Sequence, residues 1–100
     1  MPRLAVIGGT GVYSTKVFNE IEELNVSTPY GAPSSQIKIA SVDNVKFAFL
    51  ARHGLNHTIP PHRVNYRANV WALKELGVQR IIAINAVGSL KVEIRPGDFV

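Results

Sequence analysis

Between Asn65 and Asn85 the chain passes through a helical repeat, a glycine and an unbroken apolar run, and that succession constrains the fold more than any other feature. Val64, Ala68, Trp71, Ala72 and Leu76 recur at spacings that place them on one helix face, while Arg67, Lys74 and Glu75 lie elsewhere, so the pattern predicts a helix over 65–76. Gly77 follows the last turn, where a left-handed cap costs glycine least. Arg80-Ile81-Ile82-Ala83-Ile84-Asn85 then reads as a strand buried on both faces. Helix, glycine and apolar strand are half of a βαβ crossover, which predicts an α/β chain with a parallel or mixed sheet.

The remaining elements fit that frame. Leu4-Ala5-Val6-Ile7 is a second short apolar run, closed at once by Gly8-Gly9-Thr10-Gly11. Residues 27–35, STPYGAPSS, concentrate turn formers and are read as loop. Gln36 to Val42 alternates polar and apolar as a half-exposed strand does, Asp43-Asn44 marks a tight turn, and Val45 to Ala51 returns as the second arm of a hairpin. Arg95-Pro96-Gly97-Asp98 is a further turn, and Phe99-Val100 reads as a strand just begun. No internal repeat or interdomain linker interrupts the chain. Residues 1–100 are therefore read as the N-terminal part of a single domain belonging to a longer polypeptide.

Composition excludes several classes. The chain has no cysteine, which removes a disulfide scaffold, a thiolate zinc site, an iron–sulfur cluster and a cysteine nucleophile. No apolar run approaches the roughly 18–20 residues that cross a bilayer, and Met1-Pro2-Arg3-Leu4 does not open a signal peptide. The expectation is a soluble, cytoplasmic protein with no membrane partner.

Of the net charge of +4, three units sit in one window, RHGLNHTIPPHRVNYR from Arg52 to Arg67, which also holds all three histidines and no acid. A solvated basic loop would account for such a cluster. Gly54, Pro60 and Pro61 nevertheless fix its geometry, and it directly follows the apolar run Phe47–Ala51. Cations at the end of a buried strand are where an α/β protein collects an anion. Nucleic-acid binding would instead call for distributed Lys and Arg with exposed aromatics.

Three anion-friendly segments follow three strands. Gly8-Gly9-Thr10-Gly11 can turn backbone N–H groups and the Thr10 hydroxyl toward one point, or serve as an ordinary turn. It is no dinucleotide loop, because position 14 is Ser14 and no acid occupies 24–42 to hold a ribose, and no Walker lysine follows the glycines. Arg52-His53 offers a planar charged fork beside a tunable imidazole, or else a rim arginine with a packed histidine. Asn85-Ala86-Val87-Gly88-Ser89 leaves the carboxyl end of an apolar strand, where α/β sheets form their ligand crevice, or is simply a turn. Ser89 lacks a nucleophile elbow. His53, His57 and His62 are not read as metal ligands, since Gly54 and Pro60-Pro61 break any helix that would align them and no carboxylate lies nearby.

At this point VIGGTGVY, STPYGAPSS, LARHGLNHTIPPHRVNYRANVWALKELGV and INAVGSL…PGDFV together resemble the N-terminal part of the trimeric purine nucleoside phosphorylases. The resemblance is nearest to the 5′-methylthioadenosine phosphorylase branch with its methylthioinosine and 6-oxopurine relatives. It runs along essentially the whole chain, most specifically from Ala51 to Gly77. It implies an α/β fold with a mixed, partly barrel-like sheet flanked by helices. It also implies phosphate contacts from Thr10, Arg52, His53, Asn85 and Ala86, with the general acid and the base-reading residues beyond Val100. Asn85 departs from the threonine usual in animal methylthioadenosine enzymes.

The activity so implied is phosphate-dependent cleavage of the N-glycosidic bond of 5′-methylthioadenosine or a related purine nucleoside, giving free base and a (methylthio)ribose 1-phosphate. A 6-oxopurine nucleoside or methylthioinosine phosphorylase is the alternative. A non-catalytic phosphate- or nucleoside-binding protein on the same scaffold is the more remote one. The resemblance further implies a homotrimer or dimer of trimers, inorganic phosphate as co-substrate, and neither metal nor organic cofactor.

Overall fold

The computed structural model describes residues 1–9 and 18–100. Among them five strands form one sheet: β1 (Leu4–Gly8), β2 (Asn19–Leu24), β3 (Ile37–Val42), β4 (Val45–Ala51) and β5 (Arg80–Ala83). The order across the sheet is β2-β3-β4-β1-β5. β1 runs parallel to both β4 and β5, whereas β2–β3 and β3–β4 are antiparallel, so the sheet is mixed. One helix, α1 (Tyr66–Glu75), lies in the connection from β4 to β5, which flank β1 on either side.

The β3–β4 hairpin closes through Asp43 (φ 48°) and Asn44 (φ 66°), both left-handed. Two consecutive positive φ values are the signature of a type I′ turn, whose twist matches that of the flanking strands. Asp and Asn tolerate this region because their short polar side chains bond locally. The turn fixes the register that pairs Ala48 with Ile39 and Phe47 with Ala40.

α1 keeps the bounds read from its periodicity to within one residue at each end. Asn65 is its cap: the side-chain Oδ1 accepts from the Ala68 N–H at 3.1 Å, while Nδ2 donates to the Tyr30 carbonyl at 2.8 Å. At the other end Gly77 sits at φ 87°, its N–H donating to the Lys74 carbonyl (2.9 Å) and the Val78 N–H to the Leu73 carbonyl (3.2 Å). That pair of bonds is a Schellman closure. Asn65→Ala in the full chain should cost about 1–2 kcal/mol of folding stability, the upper part of the cap range because a second bond goes with it. An unchanged denaturation midpoint would remove the cap from this account.

The sheet buries both faces over its centre. Ala5, Ile7, Ile37, Ile39, Ala48 and Leu50 pack with Ala72 and Leu73 of α1 on one side. Ala40, Phe47, Phe49 and Ala51 gather on the other, with Leu4, Val6 and Phe18 against them and the Phe18 and Phe47 rings edge to face at 5.0 Å. Asn69 is the buried polar residue of α1. Its Oδ1 accepts from the Ser34 N–H (2.8 Å) and its Nδ2 donates to the Ser34 hydroxyl (3.1 Å), tying the 27–35 loop to the helix.

Two expectations need correction, and one strand is added. β5 ends at Ala83 and is exposed along its length rather than buried on both faces, with Ile81 and Ile82 open to solvent. Among the described residues it is the outermost strand, beside β1. Phe99-Val100 is exposed and forms no strand, having no partner strand among the described residues. β2 was not anticipated, because NEIEEL carries an edge strand's charges instead of a buried strand's apolar residues.

Candidate anion site at the tips of three parallel strands

Because β4, β1 and β5 are parallel neighbours, their carboxyl ends emerge side by side at one margin of the sheet. The ladder continues one residue beyond each outer strand: the Arg52 N–H donates to the Gly8 carbonyl at 3.0 Å, and the Ile84 N–H to the Ile7 carbonyl at 2.9 Å. Gly8-Gly9, Arg52-His53 and Ile84-Asn85 are thus brought together by backbone pairing alone. This is the placement at which open α/β sheets bind ligands.

Arg52 spans the three tips. Its guanidinium Nη1 donates to the Ile84 carbonyl at 3.1 Å, crossing the end of β1 to reach the strand on its far side. Its Nε donates to His53 Nε2 at 3.3 Å. No carboxylate pairs with Arg52 among the described residues, where the ion pairs join Lys38 to Glu20 and Glu23, and Arg95 to Asp98. A guanidinium without a carboxylate partner among the described residues keeps its charged fork able to donate to an anion.

His53 is fixed by its loop. Its Nδ1 lies 2.9 Å from the Ile59 carbonyl, which can only accept, so Nδ1 carries the hydrogen. The loop itself is closed by three backbone bonds: Gly54 N–H to the Ala51 carbonyl, His57 N–H to the Gly54 carbonyl, and Ile59 N–H to the His53 carbonyl, at 3.0–3.1 Å. Gly54 is left-handed (φ 82°), with the Ser34 carbonyl 3.4 Å from where a Cβ would stand, so a side chain there would be strained. His57 is also left-handed (φ 54°) and lays its ring 5.0 Å from that of His53.

Asn85 and Ala86 follow Ile84 directly and are exposed at the same margin. Thr10, the remaining predicted phosphate contact, lies outside the described residues. His62 falls in a 3-10 turn over Pro61–Arg63, and no group of three metal-ligating side chains gathers among the described residues. Two surface hollows lie elsewhere, one within Asn25–Gln36 and one between Tyr30 and the α1 residues Tyr66, Arg67, Val70, Trp71 and Lys74. The carbonyls of Ile59 and Ile84 and the ring of His57 were not anticipated. Main-chain acceptors carry no signal in residue identity, whereas the four-residue spacing from His53 to His57 was visible.

The chain matches the phosphorylase superfamily model over residues 3–100. S-methyl-5′-thioadenosine phosphorylase of Pyrococcus horikoshii is 58% identical over all 100 residues, and 6-oxopurine nucleoside phosphorylase of Pyrococcus furiosus is 57% identical over the same stretch. The chain spans 38% and 37% of their respective lengths. Among solved structures, a methylthioadenosine phosphorylase from an Antarctic soil metagenomic library superposes with a TM-score of 0.89 at 43% identity, covering 97% of this chain and 34% of that one. The Schistosoma mansoni methylthioadenosine phosphorylase in its apo form gives 0.87 at 45%, covering 98% and 35%. No helix among the described residues is long and apolar enough to cross a membrane. With the family model matched over residues 3–100, the chain belongs to the phosphorylase superfamily.

Proposed function

We propose that this chain carries the phosphate-holding part of a purine nucleoside phosphorylase acting on 5′-methylthioadenosine or a close relative. The observation that carries the reading is Arg52, bridging three parallel strand tips to the Ile84 carbonyl with no carboxylate partner among the described residues. Arg52, His53, Asn85 and the Ala86 N–H are assigned to the oxyanion, together with Thr10.

In this reaction a phosphate oxygen attacks the anomeric carbon as the C1′–N9 bond breaks. A sugar 1-phosphate forms, and the purine leaves protonated as the free base. The transition state has oxocarbenium character, so an anion fixed beneath the sugar is both nucleophile and electrostatic stabiliser. Pre-set donors of this kind need no reorganisation at the moment of reaction. Homotrimeric assembly, a cytoplasmic location, a part in purine salvage and the absence of any cofactor besides phosphate belong to the same proposal, supported by the family likeness.

The test incubates the full chain with methylthioadenosine, methylthioinosine and inosine in parallel, with and without phosphate. Base release that requires phosphate is expected, with methylthioadenosine turned over fastest. Preference for the 6-oxopurines would favour the alternative suggested by the 57%-identical relative. Release without phosphate would indicate a hydrolase, and phosphate binding without release a non-catalytic binder.

A further inference from the structure

We infer that Ser35 is a positioning residue for the anion grip: its hydroxyl completes a missing rung of the sheet at Ala51 and so sets where Arg52 leaves β4. This rests on the phosphate site proposed above and goes beyond it, to what holds that site's arginine in place.

The rung is missing by register. Val42 and Val45 flank the two-residue turn, and from there the pairs along β3–β4 alternate between those that exchange backbone hydrogen bonds and those that do not. Ala40–Phe47 and Lys38–Phe49 fall on the bonded positions, and the next in that series would join the Ala51 N–H to the Gln36 carbonyl. β3 begins only at Ile37. At the place of that rung the Ala51 N–H donates to the Ser35 hydroxyl oxygen at 3.1 Å, and the hydroxyl donates on to the Gln36 carbonyl at 2.8 Å. One side-chain oxygen is inserted where the ladder calls for a direct bond.

On the opposite edge of the same strand the next amide, the Arg52 N–H, donates to the Gly8 carbonyl at 3.0 Å. Successive amides at the end of β4 are therefore held from both sides, by a side chain on one flank and by β1 on the other. Ala51 has no exposed surface, so its N–H, deprived of the hydroxyl, has no solvent to turn to. It either stays unpaired or draws the strand toward the Gln36 carbonyl. Each outcome shifts the residue that precedes Arg52.

Such a clamp needs an anchor, and Asn69 supplies it. Asparagine gains nothing from helix propensity, and burying its amide is costly unless the amide is bonded. Asn69 is 2% exposed, and both ends of its amide go to Ser34, the neighbour of Ser35, at 2.8 and 3.1 Å. The Ser34 carbonyl also stands 3.4 Å from where a Cβ on Gly54 would lie, in the turn that follows Arg52-His53. Ser34 and Ser35 thus touch α1, the end of β4 and the anion-site loop at once.

The experiment measures KM for phosphate at saturating nucleoside in the full chain carrying Ser35→Ala, Ser35→Thr or Leu73→Ala, at a temperature where circular dichroism shows each variant folded. Ser35→Ala should raise that KM roughly tenfold, within the ~100-fold that a misplacement of about 1 Å can cost. Ser35→Thr, which keeps the hydroxyl, should restore it. Leu73→Ala lowers stability without touching the rung and should leave the KM unchanged, which separates position from stability. An unchanged KM in Ser35→Ala, no recovery in Ser35→Thr, or an equal rise in Leu73→Ala would each overturn the proposal. If Ser35→Ala does not fold, Ser35→Cys takes its place, since it keeps the volume and offers only a weak acceptor. Failure of both to fold makes the hydroxyl a requirement of folding alone and also overturns it. Absence of phosphate-dependent base release in the unsubstituted protein sinks the phosphorylase reading, and this proposal with it, an outcome visible before any variant is made.

Discussion

Arg52→Ala in the full chain is expected to lower kcat/KM for phosphate by ~30- to ~1000-fold, equivalent to about 2–4 kcal/mol of transition-state stabilisation, the scale of deleting one preorganised charge contact. The loss has two sources in the structure. The guanidinium is the positive charge at the meeting of three strand ends, and its Nη1 also pins the Ile84 carbonyl one residue before Asn85 and Ala86. Alanine removes the charge and releases the segment that presents the other donors. Arg52→Lys separates the two effects, because an ammonium keeps the charge but cannot reach His53 and Ile84 with a rigid fork. Its activity should fall between the other two proteins. Steady-state kinetics with phosphate varied at saturating nucleoside measures both, and an unchanged kcat/KM in Arg52→Ala would take the residue out of the site.

Leu73→Ala should destabilise the full chain by about 2–5 kcal/mol, the range for truncating a fully buried leucine. Leu73 has no exposed surface and sits with Ala72 on the turn of α1 that meets Ile7, Ile39 and Leu50. Ala72, its companion from α1 among the buried residues of that cluster, is too small to fill the space left behind. Leu73→Met, close in volume, should cost less than about 1.5 kcal/mol. Denaturant unfolding compares the two, and similar midpoints for both variants would mean that the helix is not held by this side chain.

Legibility differed between elements for physical reasons. The tight turn, α1 with its glycine closure, and β4 at its observed bounds were readable because each is decided locally, by Asp43-Asn44, by a one-faced apolar repeat ending at Gly77, and by a run bounded with turn formers. Burial depends on neighbours distant in sequence, so Ile81 and Ile82 suggested an interior strand, and only the strand order reveals that β5 lies at an edge. β2 escaped notice because Glu20, Glu22 and Glu23 mask its extended backbone. Asn69 lay within the predicted helix but outside its apolar stripe, and its buried role follows from Ser34, thirty-five positions away. At the candidate site Arg52, His53 and Asn85 were recognisable as chemistry. Their convergence came from parallel pairing, and the carbonyls that orient Arg52 and His53 belong to isoleucines whose side chains announce nothing.

The two rims of the sheet are unlike in a way that governs growth. A second strand approaching β2 in register would set its own side chains beside Glu20, Glu22 and Glu23, and an identical copy would place carboxylate against carboxylate. Acidic side chains therefore disfavour in-register pairing of two identical copies on that flank. The opposite flank ends, among the described residues, on β5, whose Ile81 and Ile82 offer an apolar margin with no charge of that kind.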